Sequence, residues 1–91
     1  MSKPSFEEVW KRIVTREGEL FRTITDKPFT YRVEGNSLYS SRTDYNISKS
    51  NFQKAYRLVP IDGPGKIGKE VRGPAYVWAI LHDQRISKQE W

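Results

Sequence analysis

The chain has 91 residues, of which 36% are hydrophobic and 13% aromatic, and it carries a net charge of +5. That length allows one domain, residues 1–91, whose single modest core rests on a few large side chains. The absence of cysteine excludes disulfides and thiolate chemistry and fits a reducing compartment; with no signal peptide after Met1-Ser2-Lys3-Pro4 and no apolar stretch near the roughly 20 residues that span a bilayer, a cytoplasmic protein without a membrane partner is expected.

In chain order, Ser5-Phe6-Glu7-Glu8 has the spacing of a capping box. Phe6, Val9, Trp10, Ile13 and Val14 follow at helical spacing, and Gly18 supplies a left-handed stop. Glu7 to Lys11 and Glu8 to Arg12 are helix-surface pairs in the favourable order, and Lys11, Arg12 and Arg16 fall on the solvent side. Three strands are expected next. Glu19 to Thr25 reads as extended, and Asp26-Lys27-Pro28 as a turn. Phe29, Tyr31 and Val33 alternate with Thr30, Arg32 and Glu34, Gly35-Asn36 suits a tight hairpin, and Ser37 to Arg42 returns.

Thr43 to Asn46 reads as a connection. Ser48 then caps a second helix, with Ile47 and Phe52 as a hydrophobic staple and Phe52, Ala55, Tyr56 and Val59 as its buried stripe. Its other positions show Lys49, Gln53, Lys54 and Arg57 and no acid. Pro60 to Gly73, with four glycines and two prolines, reads as a loop. Pro74 opens a third helix holding the longest apolar run, Tyr76 to Leu81, which must be buried on every side. The fold expected is α+β: a three-stranded antiparallel sheet in the order α-β-β-β-α-α, one face covered by the N-terminal helix and one or two C-terminal helices.

Three features bear on chemistry. Gly63-x-x-x-x-Gly68-Lys69 follows the phosphate-loop pattern up to Glu70, where Ser or Thr is needed to hold magnesium, and so short a chain cannot build the surrounding parallel sheet. The amides of a glycine loop remain suited to a phosphate of DNA or RNA. His82 is the only histidine; at the end of a buried helix its ordinary role is structural, and a zinc site there would need carboxylates for every other ligand. The aromatics read mostly as core; Tyr39 and Tyr45, near Arg42, are the two that would stack on bases if exposed, with packing the better reading. The chain therefore reads as a non-enzyme without cofactor or metal.

The excess charge is local. Residues 1–41 hold seven Lys/Arg against six Asp/Glu, residues 42–72 seven against three, and residues 73–91 two against two. Arg42, Lys49, Lys54, Arg57, Lys66, Lys69 and Arg72 are therefore the candidate contacts for nucleic-acid phosphates, DNA or RNA. The alternative is a protein-binding accessory module (an inhibitor, antitoxin or regulator) meeting an acidic partner through the Pro60 to Gly73 loop; a homodimer fits either reading.

The string Gly73-Pro74-Ala75-Tyr76-Val77-Trp78-Ala79-Ile80-Leu81, with Asp83 and Arg85-Ile86 after it and Ile47-Ser48-Lys49 and Phe52 before it, resembles the second half of small uncharacterised bacterial proteins of mobile elements such as integron cassettes and phage accessory regions. That resemblance implies no activity. The order helix, three strands, helix is also similar to double-stranded-RNA-binding domains, but this chain lacks their lysine cluster at the start of the last helix, having only Lys49 and Lys54, and it adds a third helix.

Overall fold

The computed structural model describes residues 3–91; Met1 and Ser2 of the N-terminal stretch lie outside the described residues. Helix α1, Phe6–Thr15, begins at Ser5, whose Oγ accepts the Glu8 amide at 3.3 Å. Val9, Trp10 and Ile13 are buried as their spacing requires, each large side chain contributing about 1.5–3 kcal/mol before ordering costs. Gly18 takes φ +85°.

The strands are β1 (Phe21–Arg22), β2 (Pro28–Phe29), β3 (Tyr31–Glu34), β4 (Ser37–Ser40) and β5 (Asn46–Ser48). A three-stranded antiparallel sheet is present, in the order β3-β4-β5. The Glu19 to Thr25 segment is not part of it. Only Phe21 and Arg22 pair, with Phe29 and Pro28, in a separate two-stranded ribbon. The physical reason lies on either side. Glu19 is drawn to Arg85 at 3.1 Å, and the Thr30 amide turns to the Ser41 hydroxyl at 3.0 Å, between β2 and β3. The third strand is instead Asn46–Ser48, the end of the expected connection together with the two residues expected as staple and cap of the second helix. Ile47 lies opposite Leu38, and both are fully buried. Three residues are too few to display a period of two, and an isoleucine before a serine cap looks the same in sequence.

The outer edge of β3 is closed by the turn after α1. The Gly18 amide donates to the Tyr31 carbonyl at 2.8 Å, and the Val33 amide donates to Glu17 Oε1 at 3.0 Å. An edge so occupied cannot recruit another strand. The Tyr31 hydroxyl donates to the Ile13 carbonyl at 2.5 Å, tying β3 to α1; burial pushes this phenol well above its ordinary value.

Helix α2, Lys49–Tyr56, follows β5 directly. Ser48 stands at its N-cap but caps no amide; its hydroxyl exchanges a bond with Ser50 Oγ at 2.8 Å and accepts from Asn51 Nδ2 at 2.9 Å. The Pro60 to Gly73 loop contains one 3-10 turn, Pro64–Ile67, with Ile67 buried. Helix α3, Pro74–Leu81, forms where Pro74 marks it, and α4, Gln84–Ser87, follows, capped by Asp83. The core joins Val9 and Ile13 of α1, Phe21, Phe29, Tyr31, Leu38 and Ile47 of the strands, Phe52 of α2, and Val77, Ile80 and Leu81 of α3.

Arg12 is the exception to the solvated cations expected on α1. Its side chain is 11% exposed, bonded to Glu8 at 3.3 Å, Glu90 at 2.6 Å and the Ile86 carbonyl at 2.8 Å. Burial opposes its charge, but Glu90 and Glu8 outweigh that and raise its proton affinity. The C-terminal tail is held as well: Trp91 Nε1 donates to the Leu81 carbonyl at 2.8 Å, and its ring meets Tyr56 edge-on.

Gly73 sits at φ +62°, and a Cβ there would lie 2.7 Å from Ile47 Cδ1, in a side chain with no exposure. Gly73→Ala is expected to cost about 1–3 kcal/mol, from the left-handed backbone and the clash together. Gly65→Ala, with nothing within 4 Å of its Cβ, should stay within about 0.5 kcal/mol of wild type. Denaturant midpoints of the two variants check this.

Candidate nucleic-acid interface

The seven candidate cations do not share one environment. Lys49 is partly buried, bonded to Glu7 at 3.2 Å and 5.8 Å from the Trp10 ring centre. Arg42 is exposed between β4 and β5 and reaches the Pro28 carbonyl at 3.5 Å, on the far ribbon. Lys69 is exposed in the turn after the 3-10 segment.

The other four belong to α2 and to the loop segments that meet it. The Arg72 amide donates to Asn51 Oδ1 at 3.2 Å, which brings the end of the loop against the first turn of α2. Lys66 lines a shallow hollow together with Leu58. Lys54 lies three residues after Asn51 and four before Leu58, the spacing of neighbours on a helix surface. Lys54 and Arg57 are both exposed at the C-terminal end of α2, between the residues that meet the loop.

Ion pairing separates this group from the arginines outside residues 42–72, whereas Lys3, Lys11, Lys27 and Lys88 have no carboxylate of the described residues within 4 Å either. Among the described residues, carboxylates within 4 Å engage Arg12, Arg16, Arg22, Arg32, Lys49 and Arg85. Not one ion pair joins two residues of the 42–72 segment, and Arg42, Lys54, Arg57, Lys66, Lys69 and Arg72 have none. Arg85 shows the contrast: it holds Asp83 at 2.9 Å, Glu19 at 3.1 Å and the Leu20 carbonyl at 2.8 Å, and lies 3.9 Å over the Phe21 ring. The Asp83 hydrogen bonds raise its proton affinity further. Burial pushes the Asp83 carboxyl up, but Arg85 holds it below its ordinary value.

Tyr39 and Tyr45 are half-buried, and each already has a guanidinium on its ring, Arg32 and Arg72 respectively, at 5.0 Å. The loop's own carbonyls engage part of its backbone. The Lys66, Glu70 and Val71 amides donate to carbonyls of the loop itself.

Two residues of α3 and its cap, Trp78 and His82, have a role that apolar patterning did not show. Trp78 Nε1 donates to the Ile61 carbonyl at 2.8 Å, and the Ile61 amide donates to His82 Nε2 at 3.0 Å. Both polar groups of one loop residue are thus held one helical turn apart on α3. The two rings stack, 4.8 Å between centres and 12° between planes. Because Nε2 accepts, Nδ1 carries the proton and faces the Trp78 carbonyl at 3.2 Å. A tryptophan and a histidine at i and i+4 were the available signal, but their partner lies 17 and 21 residues earlier.

Burial lowers the His82 pKa below 6.5, with the Trp78 carbonyl working the other way. As pH falls, the unfolded chain takes up this proton first, so the stability His82 contributes is whole above 6.5 and is lost as pH drops below it, towards the folded-state value. Thermal unfolding between pH 8 and 5 should show a falling midpoint below about pH 6.5. In His82→Gln, whose amide oxygen can accept from Ile61 without titrating, that part of the fall should vanish. Parallel curves would assign the proton elsewhere.

No helix among the described residues is long and apolar enough to cross a membrane. No family model, curated protein or solved structure matches this chain.

Proposed function

We propose that this protein binds nucleic acid without catalysing a reaction, chiefly through phosphates seated along the row Arg72, Lys54, Arg57 and Lys66. What supports this reading is the distribution of ion pairs: carboxylates engage every arginine outside residues 42–72 and leave Arg57 and Arg72 of this row, with Lys54 and Lys66, without one. An unpaired cation on a helix flank exchanges water and counterions for phosphate at low cost, and the released counterions drive binding. Arg42 and Lys69 extend the field around the row, while Lys49, already bonded to Glu7, contributes less.

A second reading, a protein-binding accessory module of a mobile element, draws on Leu58 and Ile24, which are 52% and 53% exposed. Apolar side chains ringed by charge are the anatomy of a protein interface. Pull-down of one stoichiometric acidic partner would favour it.

Four phosphate contacts predict that the logarithm of affinity falls with the logarithm of salt at a slope of about −3 to −4. Anisotropy titrations of a labelled oligonucleotide at several salt concentrations measure that slope. Lys54→Glu with Arg57→Glu should abolish binding at low salt while leaving the fold intact, since both side chains are exposed. Unchanged binding in the double variant would remove this reading.

A further inference from the structure

Where the basic row ends, the surface changes character. Leu58, Pro60, Ile61 and Ile67 line an open hollow of about 260 Å³, with Asp62 and Lys66 as its only charged lining. This lies below the roughly 300–1,000 Å³ of pockets that enclose a whole small-molecule ligand; it has room for one flat ring. Its wall is fixed, because Ile61 is clasped by Trp78 and His82. Asp62 and Lys66 sit beside each other on the hollow without an ion pair to each other or to any described residue. The edge thus presents an acceptor and a donor side by side.

Resting on the phosphate-binding reading, we infer that this hollow takes an unpaired nucleobase, so that the nucleic acid bound is single-stranded, with guanine preferred at that position. Bases taken out of a stack are held between apolar side chains and read along their Watson–Crick edge. Guanine presents there a carbonyl acceptor next to two N–H donors. Lys66, whose ammonium has three donors, donates to the carbonyl as well as to the strand's phosphate, and Asp62 accepts from the N–H groups, while Leu58 and Pro60 cover the ring. A duplex cannot fill this hollow without losing a base pair, since its ring faces are stacked. An acidic peptide would gain from the cations but would meet the Asp62 carboxylate at the apolar step.

The test uses the full chain and labelled eight-nucleotide strands of mixed adenine and cytosine carrying one central guanine or adenine, with a duplex of equal length. The single strand with guanine should bind at least about fivefold more tightly than the duplex, from one base contact of ordinary strength. Leu58→Ser, at an exposed position that leaves the core untouched, should lose that advantage. Asp62→Asn is the discriminating variant. It makes the chain more positive, so phosphate attraction alone predicts tighter binding to every strand, whereas the base contact predicts loss of the guanine preference. If the duplex binds equally well and Asp62→Asn tightens all strands alike, the hollow holds no base and only phosphate binding stands. If no strand binds at low salt, the functional reading falls and this inference with it. If a leucine-containing acidic peptide binds in a Leu58-dependent way and the strands do not, the hollow belongs to a protein partner, which also overturns the inference.

Discussion

A helix that is apolar on every side has no face to give to water, and in 91 residues it leaves the chain little choice of arrangement. The run from Tyr76 to Leu81 buries Val77, Ala79, Ile80 and Leu81, so α2, α4, the 3-10 turn and the β1 ribbon are all drawn against α3. The polar tips at its margins then decide where the irregular chain goes. Trp78 and His82 hold Ile61, and the carbonyl at the end of the run receives Trp91. Loss of these tips would leave buried polar groups unsatisfied, which costs more than the bonds themselves contribute.

That arrangement has an electrostatic consequence. Arg12 and Arg85 fasten the C-terminal segment to α1 and β1, and the carboxylates they use are Glu8, Glu90, Asp83 and Glu19. The arginines before residue 42 and after residue 72 therefore have carboxylates within the fold. The 42–72 segment, held by apolar contacts and by the backbone bonds of Ile61 and Arg72, has no such need. Apart from Lys49, which is bonded to Glu7, its cations have no carboxylate among the described residues because the other interactions that fix it are not ionic, which is why the net charge of the chain appears as a local feature of α2 and its loop.

The hollow by Leu58 follows from the same clasp. A loop with four glycines and two prolines would ordinarily lose any shape to conformational freedom. Bonding both polar groups of Ile61 to one helix removes that freedom at the point where Leu58, Pro60 and Ile67 meet. A small apolar surface on a fixed backbone is prepared for a ring, since ordering costs on binding are reduced beforehand.

Residue types and spacings by themselves determined α1, its cap at Ser5, the hairpin at Gly35-Asn36, the body of α2, the helix after Pro74 and the segment that carries the excess charge. Each depends on neighbours within about a turn, so each is written locally. The tertiary structure alone decided that Asn46–Ser48 completes the sheet in place of Glu19 to Thr25, because a three-residue strand is selected by the strand beside it. It also decided which cations stay unpaired. Arg12 looks like any surface arginine until Glu90 arrives from the far end of the chain, and Lys49 looks as available as Lys54 until Glu7 lies beside it. A charge is free or engaged according to what packs against it, and that is a property of distance in space rather than along the chain.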